Sequence, residues 1–245
     1  GGDPNVETSL KLARTMDEAG ADILEVGIPF SDPLADGPTI QKAIQRSLDA
    51  GMRISDIFSM VESFRKDSDL PVVLMTYYNP VFRYGEERFL ADASEAGADG
   101  VLIVDFPPEE GQDFFQNTED HGLDSILLAT PTTGPDRVRE LSELGSGFLY
   151  YVAVTGVTGV RSGYNEELAD QIRQVAEAST LPTVMGFGVS EIDPIKPYLD
   201  PVQGVVAGSV LVELVEKHMN DEETMLQAIE DKVRSLAEPL HGVAV

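Results

Sequence analysis

The segment 18–28 reads EAGADILEVGI, and the segment 95–106 reads EAGADGVLIVDF. In both, a helical stretch ends in glycine and leads within a few residues into an apolar, β-branched run. Glycine suits the residue after a helix because it adopts the left-handed conformation without steric cost. Weaker copies of the pattern occupy 121–130 and 144–154. The repeat therefore predicts a series of strands, each of which follows a helix.

Further apolar runs complete the pattern. They predict strands at 71–77, 182–185 and 203–207, so seven strands are visible in the sequence. The runs are nearly continuous rather than alternating, which indicates burial on both faces and a parallel sheet. Segments of helical period separate them, roughly at 6–19, 38–50, 53–67, 86–96, 108–120, 135–144, 165–179, 190–199 and 221–237.

Serial βα units of this length close in two main ways, the (β/α)8 barrel and the open doubly wound sheet. The opening residues 1–4, GGDP, resemble the turn that follows a strand, so we expect an eighth strand before residue 1. No linker or shift in composition divides the sequence. We therefore predict one domain over residues 1–245.

The sequence is strongly acidic, with 43 Asp and Glu against 17 Lys and Arg and a formal net charge of −26. Such a surplus argues against binding to nucleic acid or to an anionic membrane surface, because both require clusters of basic residues. The acids are scattered along helices and loops. They indicate either a heavily solvated surface or an adaptation of a halophile to a salt-rich cytoplasm.

Other classes of site are also disfavoured. There is no cysteine, and the three histidines lie far apart without metal-ligand spacing, so no metal site is expected. The sequence has neither an apolar run of about 18 residues nor a signal peptide, and a cytoplasmic protein is expected.

Two carboxylates belong to one strand-loop unit. Glu25 interrupts an otherwise apolar strand, where burial raises a carboxyl pKa towards the range useful for proton transfer at neutral pH. Asp36 lies in the loop 30–38, just before a helix that Pro38 should begin. The alternatives are a hydrogen-bonded structural Glu25 and a solvated turn residue at Asp36. If both face the mouth of a barrel, they form an acid-base pair.

Two glycine motifs follow the last strands. The first is MGFGVS at 185–190, and the second is AGS at 207–209, with Ser190 and Ser209 placed where short helices should begin. Loops and helix N-termini at these positions bind phosphate in barrels, although plain turn chemistry would also explain them. The loop 154–163 is small and polar, which fits either a mobile lid or an ordinary surface loop.

Residues 21–41, ADILEVGIPFSDPLADGPTIQ, closely resemble the signature of tryptophan synthase alpha subunits. The motifs GVTGVRS at 156–162, MGFGVS at 185–190 and AGSVLV at 207–212 occur in the order and spacing of that family. The resemblance implies a (β/α)8-barrel lyase that performs retro-aldol cleavage of indole-3-glycerol phosphate into indole and glyceraldehyde 3-phosphate.

The resemblance also implies roles for single residues. Glu25 is expected to handle the indole C3 and glycerol hydroxyl protons, Asp36 to hold the indole N1–H, and Tyr150 to line the site. Tyr150 could equally be an aromatic residue of the barrel wall. The phosphate is expected at Gly159, Gly186, Phe187, Gly188, Gly208 and Ser209, with Ser190 a weaker candidate; the indole pocket is expected at Ile40, Met75, Leu102, Val104 and Thr158, with Tyr77 as a further member.

Family members work as an αββα complex with a β subunit that carries pyridoxal phosphate. This sequence shows no Lys-centred cofactor motif, so no cofactor is expected here, and 32–33 and 79–80 resemble the surfaces that meet the β partner. Val154 stands where many relatives have an arginine. The resemblance therefore does not extend to a charge-assisted closure of the loop 154–163 over the phosphate. A phosphate-binding isomerase and a non-catalytic subunit that activates its partner are the alternative functions.

Overall fold

Parallel strands alternate with helices along the whole described chain. The computed structural model describes residues 1–152, 165–186 and 188–241. Its strands are β1 (Leu24–Gly27), β2 (Val72–Thr76), β3 (Gly100–Ile103), β4 (Asp124–Ser125), β5 (Leu127–Ala129), β6 (Leu149–Val152), β7 (Thr183–Gly186) and β8 (Gly204–Val206). Every predicted strand is present, and one predicted run is divided between β4 and β5.

The helices follow the strands in chain order. They are α1 (Val6–Glu18), α2 (Pro38–Asp49), α3 (Ile54–Arg65), α4 (Tyr78–Tyr84), α5 (Glu86–Ala96), α6 (Gln112–Asp120), α7 (Pro135–Leu144), α8 (Glu166–Ala178), α9 (Ser209–Lys217) and α10 (Glu222–His241). Over the described ranges, no helix is both long and apolar enough to cross a membrane.

Strand pairing is parallel throughout the described chain and follows the order of the sequence. One sheet has the order β1-β2-β3-β4 and the other the order β5-β6-β7-β8. Only Ile126 separates β4 from β5, and its amide still donates to the carbonyl of Val101 on β3 at 2.9 Å. The two sheets are therefore consecutive parts of one array of strands.

The inner faces of the two sheets converge on a common core. Val73 and Leu102 come from the first sheet, whereas Tyr150 and Val184 come from the second, yet all pack in one cluster with Phe148. An open doubly wound sheet would keep these residues apart, because its two faces are each covered by helices. The convergence identifies the fold as the predicted (β/α)8 type of barrel.

The opposite face of each strand packs against helices. Leu74 of β2 and Leu149 of β6 are fully buried in the large outer core, together with Phe64, Phe89 and Ile172 from the helices. Apolar residues therefore occupy both faces of the strands, and this explains why the strand sequences do not alternate.

The glycine repeat has the predicted conformation. Gly97 follows α5 in the left-handed region, with φ of 90°, and its amide donates to the carbonyls of Ala93 and Ser94. Gly20 follows α1 in the same region, with φ of 98°. Each glycine ends a helix and turns the chain into the next strand.

The predicted helix at 190–199 is wrong. The described chain has only a 3₁₀ turn there, over Lys196–Tyr198. Pro194 and Pro197 each lack a backbone N–H, which prevents a regular helical ladder over so short a segment. Prolines also delay α6, which begins at Gln112 rather than 108, after a 3₁₀ turn at Pro108–Glu110.

Within the described chain, no strand pairing joins β8 to β1, so the array is open between them. The amino group of Gly1 donates to the carbonyl of Gly27 at 2.7 Å and therefore lies beside the end of β1. The expected strand before residue 1 stays a prediction.

Candidate active site

Strand alternation turns Glu25 into the barrel. Its neighbours Leu24 and Val26 are both buried in the outer core, with 6 % and 5 % of their surface exposed. Because successive side chains of a strand point to opposite faces, Glu25 points to the inner side. There it lines a large cavity.

The interior of the barrel changes the chemistry of Glu25. Burial, with a smaller contribution from the negative charge of Asp36, raises its pKa from the ordinary 4.5 to about 7. The side chain touches the cavity and keeps partial solvent contact, but apolar strand residues surround it and disfavour the charged form. Near neutral pH, Glu25 can therefore both give and accept a proton.

Asp36 is held at the mouth of the barrel by the loop after β1. Pro38 occupies the first turn of α2, as predicted, and Gly37 is the residue before the helix. The carbonyl of Asp36 accepts a hydrogen bond from Gln41 Nε2 at 2.8 Å, and its carboxylate accepts one from the Tyr77 hydroxyl at 2.6 Å. Partial burial raises the pKa of Asp36, and the Tyr77 hydrogen bond opposes that rise.

Tyr150 faces the interior of the barrel, close to Gly186 and within electrostatic reach of Glu25. Burial raises the pKa of Tyr150 strongly, and the charge of Glu25 adds to the effect. A Cβ atom placed on Gly186 would lie 2.5 Å from Cε1 of Tyr150 and 2.7 Å from its hydroxyl oxygen. No real Cβ approaches that closely, so the absence of a side chain at 186 makes room for the ring.

The two glycine motifs meet at one end of the barrel. Gly188 has a left-handed φ of 60°, and a Cβ atom there would lie 3.9 Å from Ser209 Oγ. Ser209 is the first residue of α9, and Gly208 precedes it, so the predicted helix start at Ser209 is confirmed. No helix begins at Ser190, whose carbonyl accepts a hydrogen bond from Lys232.

These groups share one cavity of about 2020 Å³. It extends from the mouth of the barrel to the interval between β1 and β8, so it is larger than the roughly 300–1,000 Å³ of a typical ligand site. Of the predicted site residues that the structure describes, all except Ser190, the weaker phosphate candidate, line it: Glu25, Asp36, Ile40, Met75, Leu102, Val104, Tyr150, Gly186, Gly188, Gly208 and Ser209. The predictions for Val154, Thr158, Gly159 and Phe187 lie outside the described residues.

Some residues of the cavity were missed by the sequence analysis. Leu128, Phe148 and Val184 face the interior beside Tyr150. These residues could have been found from strand geometry, because every second residue of a predicted strand faces inward. The hydrogen bond between Tyr77 and Asp36 had no local signal, because it joins loops that follow different strands.

In the described ranges, no group of His, Asp and Glu side chains is placed to hold a metal ion. His241 contacts Asp22 at 3.0 Å, and His121 lies 3.5 Å from Glu87. His121 and Glu87 are outside the cavity, whereas Asp22 and His241 are among the residues that line it.

Comparison with known proteins assigns this arrangement to a family. The family profile described as "Tryptophan synthase alpha chain" matches residues 1–241. The chain belongs to the tryptophan synthase alpha chain family. The tryptophan synthase alpha chain of Geotalea uraniireducens is 49 % identical over 223 residues, which cover 90 % of this chain and 83 % of the relative. That of Methanothermobacter thermautotrophicus is 42 % identical and covers 96 % and 87 %, respectively.

Solved structures of the tryptophan synthase alpha chain family support the barrel architecture. A chain from the α2β2 complex of Pyrococcus furiosus has a TM-score of 0.89 at 36 % identity, over 96 % of this chain and 94 % of that one. The alpha subunit of Legionella pneumophila has a TM-score of 0.90 at 36 % identity, over 99 % and 90 %. The resemblance at 21–41 is thereby confirmed for the chain as a whole.

Proposed function

We propose that this chain cleaves indole-3-glycerol phosphate to indole and glyceraldehyde 3-phosphate, as the alpha subunit of a tryptophan synthase. The observation that carries the proposal is the raised pKa of Glu25, about 7, beside the second carboxyl of Asp36. Both lie in the barrel of a chain that belongs to the tryptophan synthase alpha chain family. The reaction is a carbon–carbon lyase step within tryptophan biosynthesis.

Glu25 carries out two proton transfers in the proposed reaction. In its acid form it protonates indole C3, which places positive charge on the ring and makes the ring an electron sink. As carboxylate it then takes the proton of the C3′ hydroxyl while the C3–C3′ bond breaks and its electrons return to the ring. The products are indole and the aldehyde, and Glu25 ends protonated. A pKa of about 7 suits both steps, because neither form is rare at neutral pH.

Asp36 stabilises the charge on the ring. In the proposal, one carboxylate oxygen accepts the indole N1–H, while Oδ2 retains the hydrogen bond from Tyr77. Protonation at C3 makes the N1–H more acidic, so this hydrogen bond strengthens as the reaction proceeds. An interaction that is stronger in the transition state than in the ground state accelerates the step.

The remaining residues bind the two ends of the substrate. Gly188, Gly208 and Ser209 meet at the N-terminus of α9, where backbone amides attract phosphate without basic side chains. This explains how a chain of net charge −26 can hold an anion. Tyr150 lines the centre of the site, and the indole pocket consists of Ile40, Met75, Leu102 and Val104.

A β subunit completes the enzyme in this proposal. It carries the pyridoxal phosphate and consumes the indole, within an αββα assembly. Asp32 and Asn79 are exposed at the same end of the barrel as the cavity mouth. Leu34 and Phe82, beside them in sequence, expose 93 % and 64 % of their surface, as expected of apolar residues that a partner covers.

The proposal places the enzyme in a cytoplasm of high salt concentration. The support is the net charge of −26, which screening by salt would make easier to tolerate.

Gly159 and Thr158 are proposed to approach the phosphate and Asp36, respectively, and Phe187 to shape the phosphate pocket.

Turnover of indole-3-glycerol phosphate by the purified chain tests the function. Indole and glyceraldehyde 3-phosphate should form in equal amounts, and adding a tryptophan synthase β subunit should accelerate their formation. An isomerase of the same barrel class would release no indole. A subunit that only activates its partner would release none in the absence of that partner. Either result would contradict the proposal.

A further inference from the structure

Tyr77 joins the end of β2 to the loop that carries Asp36. Only 5 % of its surface is exposed. Its hydroxyl donates to Asp36 Oδ2 at 2.6 Å and accepts from the amide of Ala35 at 2.9 Å. One phenol therefore holds both the carboxylate and the backbone beside it.

Asp36 has little else to fix its carboxylate. Its neighbours Ala35 and Gly37 are exposed, and over the described residues Tyr77 gives the hydrogen bond that its carboxylate accepts. The Gln41 side chain holds the Asp36 carbonyl and leaves the carboxylate free to rotate. Without Tyr77, the carboxylate would adopt several orientations at the cavity mouth.

Tyr77 is itself held from two sides. The register pairs Gly27 of β1 with Met75 of β2, so Tyr77 follows level with the first residues of the loop after β1. The ring packs against Phe30, with centroids 5.3 Å apart. The next amide, that of Tyr78, donates to Asp105 Oδ1 at 2.6 Å and anchors the start of α4.

We infer that Tyr77 is a positioning residue that aims Asp36 at the indole N1–H. The inference rests on the proposed function. Tyr77 works through the hydrogen bond to Oδ2 and leaves the other carboxylate oxygen for substrate. The Ala35 hydrogen bond orients the same hydroxyl, so its proton points to Asp36.

The acidic groups around the pair favour a protonated phenol, and the hydrogen bond from that phenol favours an ionised Asp36 carboxylate. The groups that act on it are Glu25, which faces Asp36, and Asp105, whose charge reaches Tyr77. Burial and the hydrogen bond to Asp36 raise the Tyr77 pKa, so the phenol stays a donor at neutral pH. The same hydrogen bond lowers the Asp36 pKa against the effect of burial.

The test compares Tyr77→Phe with a matched control. Tyr84→Phe removes a tyrosine–carboxylate hydrogen bond of the same kind, from Tyr84 to Asp92 at 2.5 Å, away from the cavity. Hydrogen bonds to charged groups correspond to roughly 10- to 100-fold in rate. We expect Tyr77→Phe to lower kcat by about that factor, and Tyr84→Phe to leave kcat within twofold. Equal kcat values for the two variants would overturn the inference.

A double-variant cycle separates positioning from general damage. In the Asp36→Asn background, which should itself lose most activity, adding Tyr77→Phe should lower the residual kcat by less than twofold. Loss of the full factor in that background would show that Tyr77 does not act through Asp36, and would overturn the inference.

An NMR titration makes the test independent of turnover. With ¹³C-labelled aspartate, the Asp36 carboxyl signal is assigned by its absence in Asp36→Asn. Its pKa should rise in Tyr77→Phe and stay unchanged in Tyr84→Phe. An unchanged pKa in Tyr77→Phe would overturn the inference even if the wild-type chain forms indole. Failure of the wild type to form indole would instead overturn the proposed function.

Discussion

Tyr150 fills the space that a side chain at Gly186 would need. The two residues lie on neighbouring strands, and a Cβ atom at 186 would overlap the tyrosine ring near Cε1 and the hydroxyl. The family resemblance implied a phosphate-binding role for Gly186, through its motif at 185–190. Its immediate contact is with Tyr150, whose hydroxyl end is close enough to Glu25 to respond to that charge.

Gly186→Ala should therefore impair catalysis more than phosphate binding. The added methyl would push the Tyr150 ring, and misplacement of about 1 Å in an active site can cost about 100-fold in rate. We expect kcat for indole-3-glycerol phosphate to fall by roughly 10- to 100-fold, with the dissociation constant of glycerol phosphate unchanged within twofold.

Gly204→Ala is the matched control for Gly186→Ala. Gly204 begins the adjacent strand β8, and a Cβ atom there would make an ordinary contact of 3.5 Å with Val184. Its activity should stay near that of the wild type. A weaker glycerol phosphate affinity with unchanged kcat in Gly186→Ala would instead favour the phosphate role of Gly186.

Glu25 should weaken the fold as pH rises. Between pH 4.5 and about 7 the folded protein retains a proton on Glu25 that the unfolded chain has lost, so the contribution to the free energy of unfolding falls through this window. Since one pKa unit corresponds to about 1.4 kcal/mol, the effect reaches at most about 3 kcal/mol.

Glu25→Gln removes that titration. Urea unfolding at pH 5.5 and pH 8.5 should show the variant gaining stability over the wild type as pH rises, by about 1 to 3 kcal/mol in total. Glu95→Gln, at an exposed position of α5, should show no such gain. A difference between Glu25→Gln and wild type that does not change with pH would mean that Glu25 titrates at an ordinary pKa.

Gly188→Val should raise the dissociation constant of glycerol phosphate by at least tenfold. A β-branched residue is disfavoured at the left-handed φ of Gly188, by about 1–2 kcal/mol, and the added atoms would point towards Ser209. Calorimetry measures the constant. Gly51→Val is the control, because Gly51 has a similar φ of 83° in open space outside the cavity. An unchanged constant in Gly188→Val would place the phosphate elsewhere.

The acidic surface should make stability depend on salt. The Debye length shortens from about 30 Å at 0.01 M to about 3 Å at 1 M, so self-repulsion fades as salt is added. The melting temperature in potassium chloride should rise, with most of the electrostatic gain complete by a few tenths molar. A flat melting temperature between 0.01 M and 1 M would remove the case for a salt-rich cytoplasm.

Short sequence patterns predicted the helices and strands well where the pattern has the same period as the structure. The glycines that end α1 and α5 indicated the strands that follow, and the burial of Leu24 and Val26 turns Glu25 inward. The helix at 190–199 failed because prolines outweigh a weak helical period. The pairing of Tyr77 with Asp36 could not be predicted, since it depends on the register between β1 and β2.

In the proposed reaction, Glu25 performs the proton transfers of the cleavage. This role is measured by the turnover of indole-3-glycerol phosphate by Glu25→Gln, compared with wild type and Glu95→Gln at equal folded concentration. The amide keeps the shape of the side chain but cannot shuttle a proton, so turnover should fall by about 10²- to 10⁴-fold while glycerol phosphate still binds. Activity of Glu25→Gln within about tenfold of the wild type would show that Glu25 does not perform these proton transfers.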